Sequence, residues 1–178
     1  SVAVNAGQIP IYYNHPWGSA SHQGESIGCA NYLETSHKPR YCFGYGLSYG
    51  EFVYSDMKIS KPEVKPDELI TVSCQVMNVS NADATEIVQC YISDRFASRT
   101  RPVKELVGFV RVLIPAGEQR AVTFFIEPSQ TAFLDKDMRW KIEKGQFDVM
   151  LGKSSDEICF SKTVQVTEDA WIDGKRRA

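Results

Sequence analysis

The chain has 178 residues, of which 43% are hydrophobic and 24% charged, an ordinary globular composition that is long enough to bury a core. Its 20 Lys and Arg and 22 Asp and Glu leave a formal charge of -2, which excludes the basic surface of a nucleic-acid binder or a polybasic membrane anchor. No apolar run approaches the roughly 18 residues that a membrane-spanning helix needs. The composition therefore predicts one domain with a sizeable appendage.

The start of the chain and its thiols bear on where the protein works. The first residue is Ser, and the opening residues lack the basic and apolar regions of a signal peptide. The five cysteines form no CxxC pair, and His15, His22 and His37 have no metal-ligand spacing. We therefore expect a piece of a longer protein in a reduced, cytoplasmic setting, with no metal and no cofactor.

The chain changes character near Gly50. Residues 14–50 are crowded with Gly, Ser, Asn, His, Pro and Tyr and show no sustained period, which is typical of an ordered but irregular segment. In residues 70–77, apolar and mostly polar side chains then alternate, which predicts a strand with one buried face. We expect a connector up to residue 50, a β domain over 51–168, and a polar tail over 169–178 that is frayed or docked onto a missing neighbour.

Further strands follow in the same style. Alternation recurs at residues 122–126, 147–151 and 164–166, whereas 87–92 and 106–114 are more continuously apolar. A short helix is the alternative for the first of these apolar runs, but its Val, Ile and Tyr content favours a strand. Because each run ends at Pro, Gly, Asn or Asp turn chemistry, about seven short strands predict an all-β, antiparallel sandwich.

The sequence contains few residues that indicate a catalytic site. Hydrolysis of a glycoside needs two carboxylates that face each other across a pocket. The acidic candidates lie in turns and loops: Glu25, Glu34, Glu105, Asp135 and Asp137. Lys104 precedes Glu105, which suggests an ion pair. Since no nucleophile elbow or phosphate-binding glycine loop is present, we interpret these carboxylates as solvated and the chain as non-catalytic on its own.

Two segments stand out as candidate binding regions. The first interleaves aromatic residues with glycines over residues 40–49 and offers Arg40, Tyr41, Phe43, Tyr45 and Tyr49. These side chains either stack on sugar rings or fill the gap between two domains as a packed linker.

The second segment is the basic loop over residues 95–105. It contains Arg101, Lys104 and Glu105, and it binds an anion, reaches into a neighbouring domain or is simply solvated.

Several motifs follow one another in a recognisable order. They are Pro39-Arg-Tyr-Cys-Phe-Gly-Tyr-Gly-Leu-Ser-Tyr49, Glu86-Ile-Val-Gln-Cys-Tyr91, Arg101-Pro-Val-Lys-Glu-Leu106 and Gly145-Gln-Phe147. From Gly7 to about Ser155, the chain resembles the C-terminal part of glycoside hydrolase family 3 enzymes, the beta-glucosidase and beta-xylosidase group. Cys42 stands where that family usually has Pro.

The resemblance implies an immunoglobulin or fibronectin type III-like β-sandwich that follows the tail of an α/β domain. In the family, the nucleophilic Asp and the acid/base Glu belong to upstream domains, and no residue here matches either of them. The implied parent is a retaining, exo-acting β-glycosidase. We expect this chain to pack against its catalytic domains, with Arg101, Lys104 and Glu105 at the interface.

Two other functions compete with this one. A freestanding carbohydrate-binding or adhesive module would use Tyr45, Tyr49 and Trp17 to stack on a β-linked oligosaccharide. Half of a split enzyme would instead need a partner chain. A packing domain predicts no sugar affinity, together with an exposed apolar patch.

Overall fold

The computed structural model describes residues 1–8, 11–17 and 38–173. Strands form nearly all of its regular structure, joined by one short 3-10 helix, Pro128–Thr131. The strands are β1 Phe52–Ile59, β2 Glu63–Val64, β3 Ile70–Asn78, β4 Ala84–Asp94, β5 Glu105–Ile114, β6 Gln119–Ile126, β7 Phe133–Leu134, β8 Trp140–Ile142, β9 Gly145–Gly152, β10 Ile158–Val166 and β11 Ala170–Ile172. In this part of the chain, no helix is long and apolar enough to cross a membrane.

Two sheets enclose the core. The smaller has the strand order β1-β3-β6, and the larger has the order β2-β10-β9-β4-β5. Their strands pair antiparallel, except that the two-residue β2 pairs parallel with β10. The predicted all-β, immunoglobulin or fibronectin type III-like sandwich is confirmed. The predicted boundaries of 51–168 stay a prediction, although the strands of both sheets lie between Phe52 and Val166.

The two runs of alternating apolar and polar residues at 70–77 and 122–126 form strands with one buried face, as predicted. In β3, Val72, Cys74 and Val76 are at most 2% exposed, and Val122 and Phe124 of the paired β6 also point into the core. Burying each large apolar side chain stabilises the fold by about 1.5–3 kcal/mol. This shared apolar layer holds the two sheets together.

Strand β1 was not predicted, because a β-bulge breaks its period. The pairing with β3 shifts between Ser55 and Lys58, where Asp56 takes a φ of +53°. Phe52 lies on the inner face before the bulge, and Met57 lies there after it. An odd spacing between two inner residues hides the period of two that marks a strand.

From Val88 onward, strand β4 is buried on both faces, which explains its continuous apolar run. Val88 and Cys90 face the other sheet, while Gln89 and Tyr91 face outward and are only 5% and 0% exposed. Its pairing with both β5 and β9 confirms a strand rather than a helix.

The C-terminal tail is more ordered than we expected. Ala170–Ile172 pairs with β8, so the prediction that the tail is frayed or docked onto a missing neighbour is wrong for these residues. The Trp171 indole Nε1 donates to Asp135 at 2.9 Å, and the charged groups of Arg139 and Lys141 lie 5.3 and 5.7 Å from its ring centroid. Cation–π contacts and one charge-assisted hydrogen bond therefore hold this strand.

Glu86 provides a test of the core through pH. Glu86 is 6% exposed, and its carboxylate accepts a 3.3 Å bond from the Tyr54 hydroxyl. Burial raises the pKa of Glu86 above the usual 4.5. Because its pKa is raised on folding, Glu86 binds its proton more tightly in the folded state than in the unfolded state. The free energy of unfolding that this gains is lost as the pH rises above 4.5 through the folded pKa. We expect Glu86→Gln to be more stable than the wild type at pH 8, with a difference that shrinks toward pH 4.

Urea unfolding at pH 4, 6 and 8 measures this effect, with Glu63→Gln as the control at an exposed strand position. A Glu86→Gln variant that is less stable than the wild type at pH 8 would contradict the assignment.

Candidate functional site

The irregular segment before the sandwich is held against it by one side chain. We name residues 38–50 the connector. The Gln89 Nε2 donates to the carbonyl of Gly44 at 2.9 Å and to that of Lys153 at 2.6 Å, while its Oε1 accepts from the Tyr91 hydroxyl at 2.5 Å. Gln89 thus joins the connector, β4 and the β9–β10 loop, and each bond stabilises by about 0.5–1.5 kcal/mol net.

Gly44 is required where it meets Gln89. Its φ is +77°, which most residues avoid, and a Cβ at this position would collide with the Gln89 side chain. The glycine therefore allows the connector backbone to approach the sheet closely.

Aromatic rings cover the rest of the outer face of β4. Tyr13 stacks on Phe43 with ring centroids 4.1 Å apart and meets Tyr91 edge-on at 6.0 Å. The Tyr13 hydroxyl also accepts a 3.1 Å bond from the backbone N–H of Leu106 at the start of β5. The two segments that precede the sandwich are therefore packed on it together.

The β9–β10 loop completes the contact with the connector. The Ser155 N–H donates to the Phe43 carbonyl at 2.9 Å, and the Lys104 Nζ donates to the Ser155 carbonyl at 2.6 Å. The Cys42 thiol donates to the Ser154 hydroxyl at 3.3 Å. Burial lowers the pKa of the Lys104 ammonium.

The remaining aromatic residues of the connector face solvent. Tyr45 stacks on Tyr41 at 5.1 Å, and the Arg40 guanidinium lies 5.9 Å from the Tyr41 ring. Tyr49 is fully exposed and Trp17 is 59% exposed. Tyr45 lines two surface clefts, but Tyr49 and Trp17 line neither of them. The three proposed stacking residues therefore do not share either cleft.

The basic loop is held mainly by internal contacts. The Arg101 side chain is 8% exposed, pairs with Glu105 at 3.0 Å, donates to the Thr131 carbonyl at 3.0 Å and lies over the Phe133 ring. The ion pair that the structure gives Glu105 is thus with Arg101 rather than with Lys104. Arg101 and Glu105 brace the loop from within, while Lys104 reaches the β9–β10 loop.

An apolar surface lies beside the connector. A cleft of about 830 Å³ is lined in part by Leu47, Ile87 and Phe109, and Leu113 continues the outer face of β5. Leu47 is 92% exposed, Phe109 65% and Leu113 60%. We name these four residues the docking face. Since β5 is also an edge strand, this surface combines exposed apolar side chains with a backbone edge on which no described strand pairs.

No catalytic constellation appears in the described residues. They contain no group of three or more His, Cys, Asp or Glu that could hold a metal ion. Asp135 shapes a turn by accepting from the N–H of Asp137 and of Arg139 at 2.9 and 3.0 Å. Other candidates from the sequence lie outside the described residues: Glu25, Glu34, His22 and His37.

Gln89 was missed as a functional residue. It lies in a motif that the sequence analysis noted, yet it was given no role there. The available signal was a long polar amide within a continuously apolar strand, since buried polar groups need partners.

Comparisons with known proteins agree with this geometry. Residues 86–155 match the fibronectin type III-like domain family. The chain is 34% identical over 156 residues to the periplasmic beta-glucosidase of Salmonella typhimurium, covering 86% of this chain and 20% of that protein. It is 39% identical over 155 residues to a putative beta-xylosidase of Formosa agariphila, covering 87% and 19%. A solved beta-glucosidase from Listeria innocua, in complex with gluconolactone, matches with a TM-score of 0.81 at 34% identity, covering 90% and 22%.

The chain therefore contains a fibronectin type III-like domain and is related to the beta-glucosidases and beta-xylosidases of glycoside hydrolase family 3. It spans about a fifth of the length of these relatives. The Salmonella relative is periplasmic by name, and the cytoplasmic location expected from the sequence stays a prediction.

Gln89→Leu tests how the connector is held. The change leaves two carbonyls and the Tyr91 hydroxyl without this partner, so we expect a loss of roughly 3 kcal/mol of unfolding free energy. We also expect faster amide hydrogen exchange at Tyr45, whose N–H lies in the connector.

Gln75→Leu is the matched control, because Gln75 lies on the outward face of β3, away from the connector. Equal losses in the two variants would show that Gln89 has no special role.

Proposed function

We propose that this chain is the fibronectin type III-like domain of a larger family 3 β-glycosidase and that it packs against the catalytic domains of that parent enzyme. The docking face carries the proposal. Its exposed apolar side chains lie next to the connector, which leads back to the preceding part of the chain.

The pattern of strand β5 supports this role. Its run is nearly as continuously apolar as that of β4, but its outer residues Phe109 and Leu113 face solvent. In β4 the connector covers the outer face, whereas no described residue does the same for these side chains. Burying one large apolar side chain contributes about 1.5–3 kcal/mol of free energy. A neighbouring domain that packed on these side chains would therefore be stabilised in that position.

The connector supports a fixed placement of the sandwich. It is joined to β4 through Gln89 and to the β9–β10 loop through Phe43. A connector packed in this way behaves as part of the domain surface rather than as a flexible tether. Arg40, Tyr45 and Lys104 lie on this side of the molecule and are our candidates for interdomain contacts.

The parent enzyme would hydrolyse terminal β-linked sugars with retention, as the resemblance implies. Such a reaction uses one carboxylate as nucleophile and a second group as acid and base. We assign neither role to this chain. Its contribution is to hold the catalytic domains and the loops around their active site in place.

A pair of phenylalanines provides the test. Phe109 on β5 and Phe125 on β6 are 65% and 67% exposed in this chain, but they lie on the outer faces of different sheets. In the parent enzyme, we expect Phe109→Ser to lower the melting temperature by roughly 5 °C and to reduce turnover of an aryl β-glycoside, because it removes an apolar contact between domains.

Phe125→Ser is the control and should leave both quantities unchanged in the parent. In the 178-residue chain alone, neither substitution should matter. The proposal fails if both variants behave alike in the parent enzyme.

The alternative of a carbohydrate-binding module has one supporting observation. Tyr45 is 51% exposed and its ring is supported by Tyr41, as a stacking platform requires. That function requires saturable sugar binding by the chain alone, which calorimetry with cellobiose and xylobiose would detect and Tyr45→Ala would abolish.

A further inference from the structure

A second cleft lies between the N-terminal residues, the connector and the basic loop. It has a volume of about 430 Å³, and the described residues that line it include three cations, Lys38, Arg40 and Lys104, and one carboxylate, Asp156. We name it the cationic cleft. The three cations come from the connector and from the basic loop, so the positive charge is brought together by the fold rather than by one basic run.

Two of these cations form no ion pair within 4.0 Å with the described residues. Several other basic side chains of the sandwich form ion pairs within 4.0 Å, among them Arg101, Lys141 and Lys153. Arg40 and Lys104 form none with any described residue; Arg40 packs on Tyr41, and Lys104 donates to a neutral carbonyl. An ammonium can make three hydrogen bonds, so Lys104 keeps donors for a ligand.

The electrostatics of the cleft agree with this geometry. Burial lowers the pKa of Lys104 even though Asp156 lies near enough to oppose that change. His15 also lines the cleft, and burial lowers its pKa, with the charge of Lys104 adding to the effect. A half-buried positive charge costs free energy that an anion in the cleft would offset.

We propose that the cationic cleft binds a small oxyanion, a carboxylate or phosphate group, through Arg40 and Lys104. The volume admits a molecule of about monosaccharide size, and the rings of Tyr12 and Tyr45 provide walls beside the charged groups. The oxyanion comes either from a free small molecule or from an acidic side chain of a neighbouring domain.

Calorimetry on the 178-residue chain at low ionic strength tests the proposal with inorganic phosphate, glucuronate and glucose as probes. We expect both anions to bind and glucose to show no binding. Lys104→Gln retains a donor for the Ser155 carbonyl, and it should weaken phosphate binding at least fivefold because a charge-assisted contact is lost. Arg40→Gln should do the same.

Lys162→Gln is the control, since this exposed lysine on β10 lies outside the lining of the cleft. The proposal is overturned if neither anion binds, or if Lys104→Gln and Arg40→Gln bind phosphate as tightly as the Lys162→Gln control. Phosphate binding by both the chain and the parent enzyme identifies a free ligand. Binding by the chain alone identifies a side-chain carboxylate of the parent as the occupant.

Discussion

Strand β4 must be covered on both faces, and much of the architecture follows from that constraint. Its inner face packs on the sheet formed by β1, β3 and β6, as in any sandwich. Its outer face is covered by Tyr13, by Phe43 and by the backbone near Gly44. Because Gln89 lies on this second face, its buried amide has all of its hydrogen-bond partners only when the connector is in place. The connector and the sandwich therefore behave as one unit.

The same reasoning extends to the neighbouring strand. Strand β5 forms an edge of the larger sheet, and its outer face exposes the apolar side chains of Phe109 and Leu113 on either side of Arg111. Without a further contact there, β5 would present exposed apolar side chains on an edge strand, which natural sheets normally protect from aggregation. The chain matches about a fifth of the length of its relatives, and the proposed packing on catalytic domains would cover this face. The internal ion pairs of Arg101 keep the preceding loop in shape beside that surface.

The sequence predicts those features of the structure that depend on residues close together in the chain, and it misses those that depend on distant residues. Strands β3 and β6 are covered on one face, so alternation alone located them. In β1 the bulge at Asp56 hid the same signal. The role of Arg101 was beyond prediction, since its partners include the Thr131 carbonyl, thirty residues away. Gln89 was visible only as a polar residue in an apolar run, and the connector that explains it lies forty-five residues earlier.

We propose that this domain acts by packing its docking face against the catalytic domains of the parent enzyme. Amide hydrogen exchange, measured on the 178-residue chain and on the same residues within the parent enzyme, tests that claim most directly. The account predicts added protection in the parent for residues 105–113 of β5, together with unchanged exchange in β6. Added protection confined to β6, or none in either strand, would contradict it.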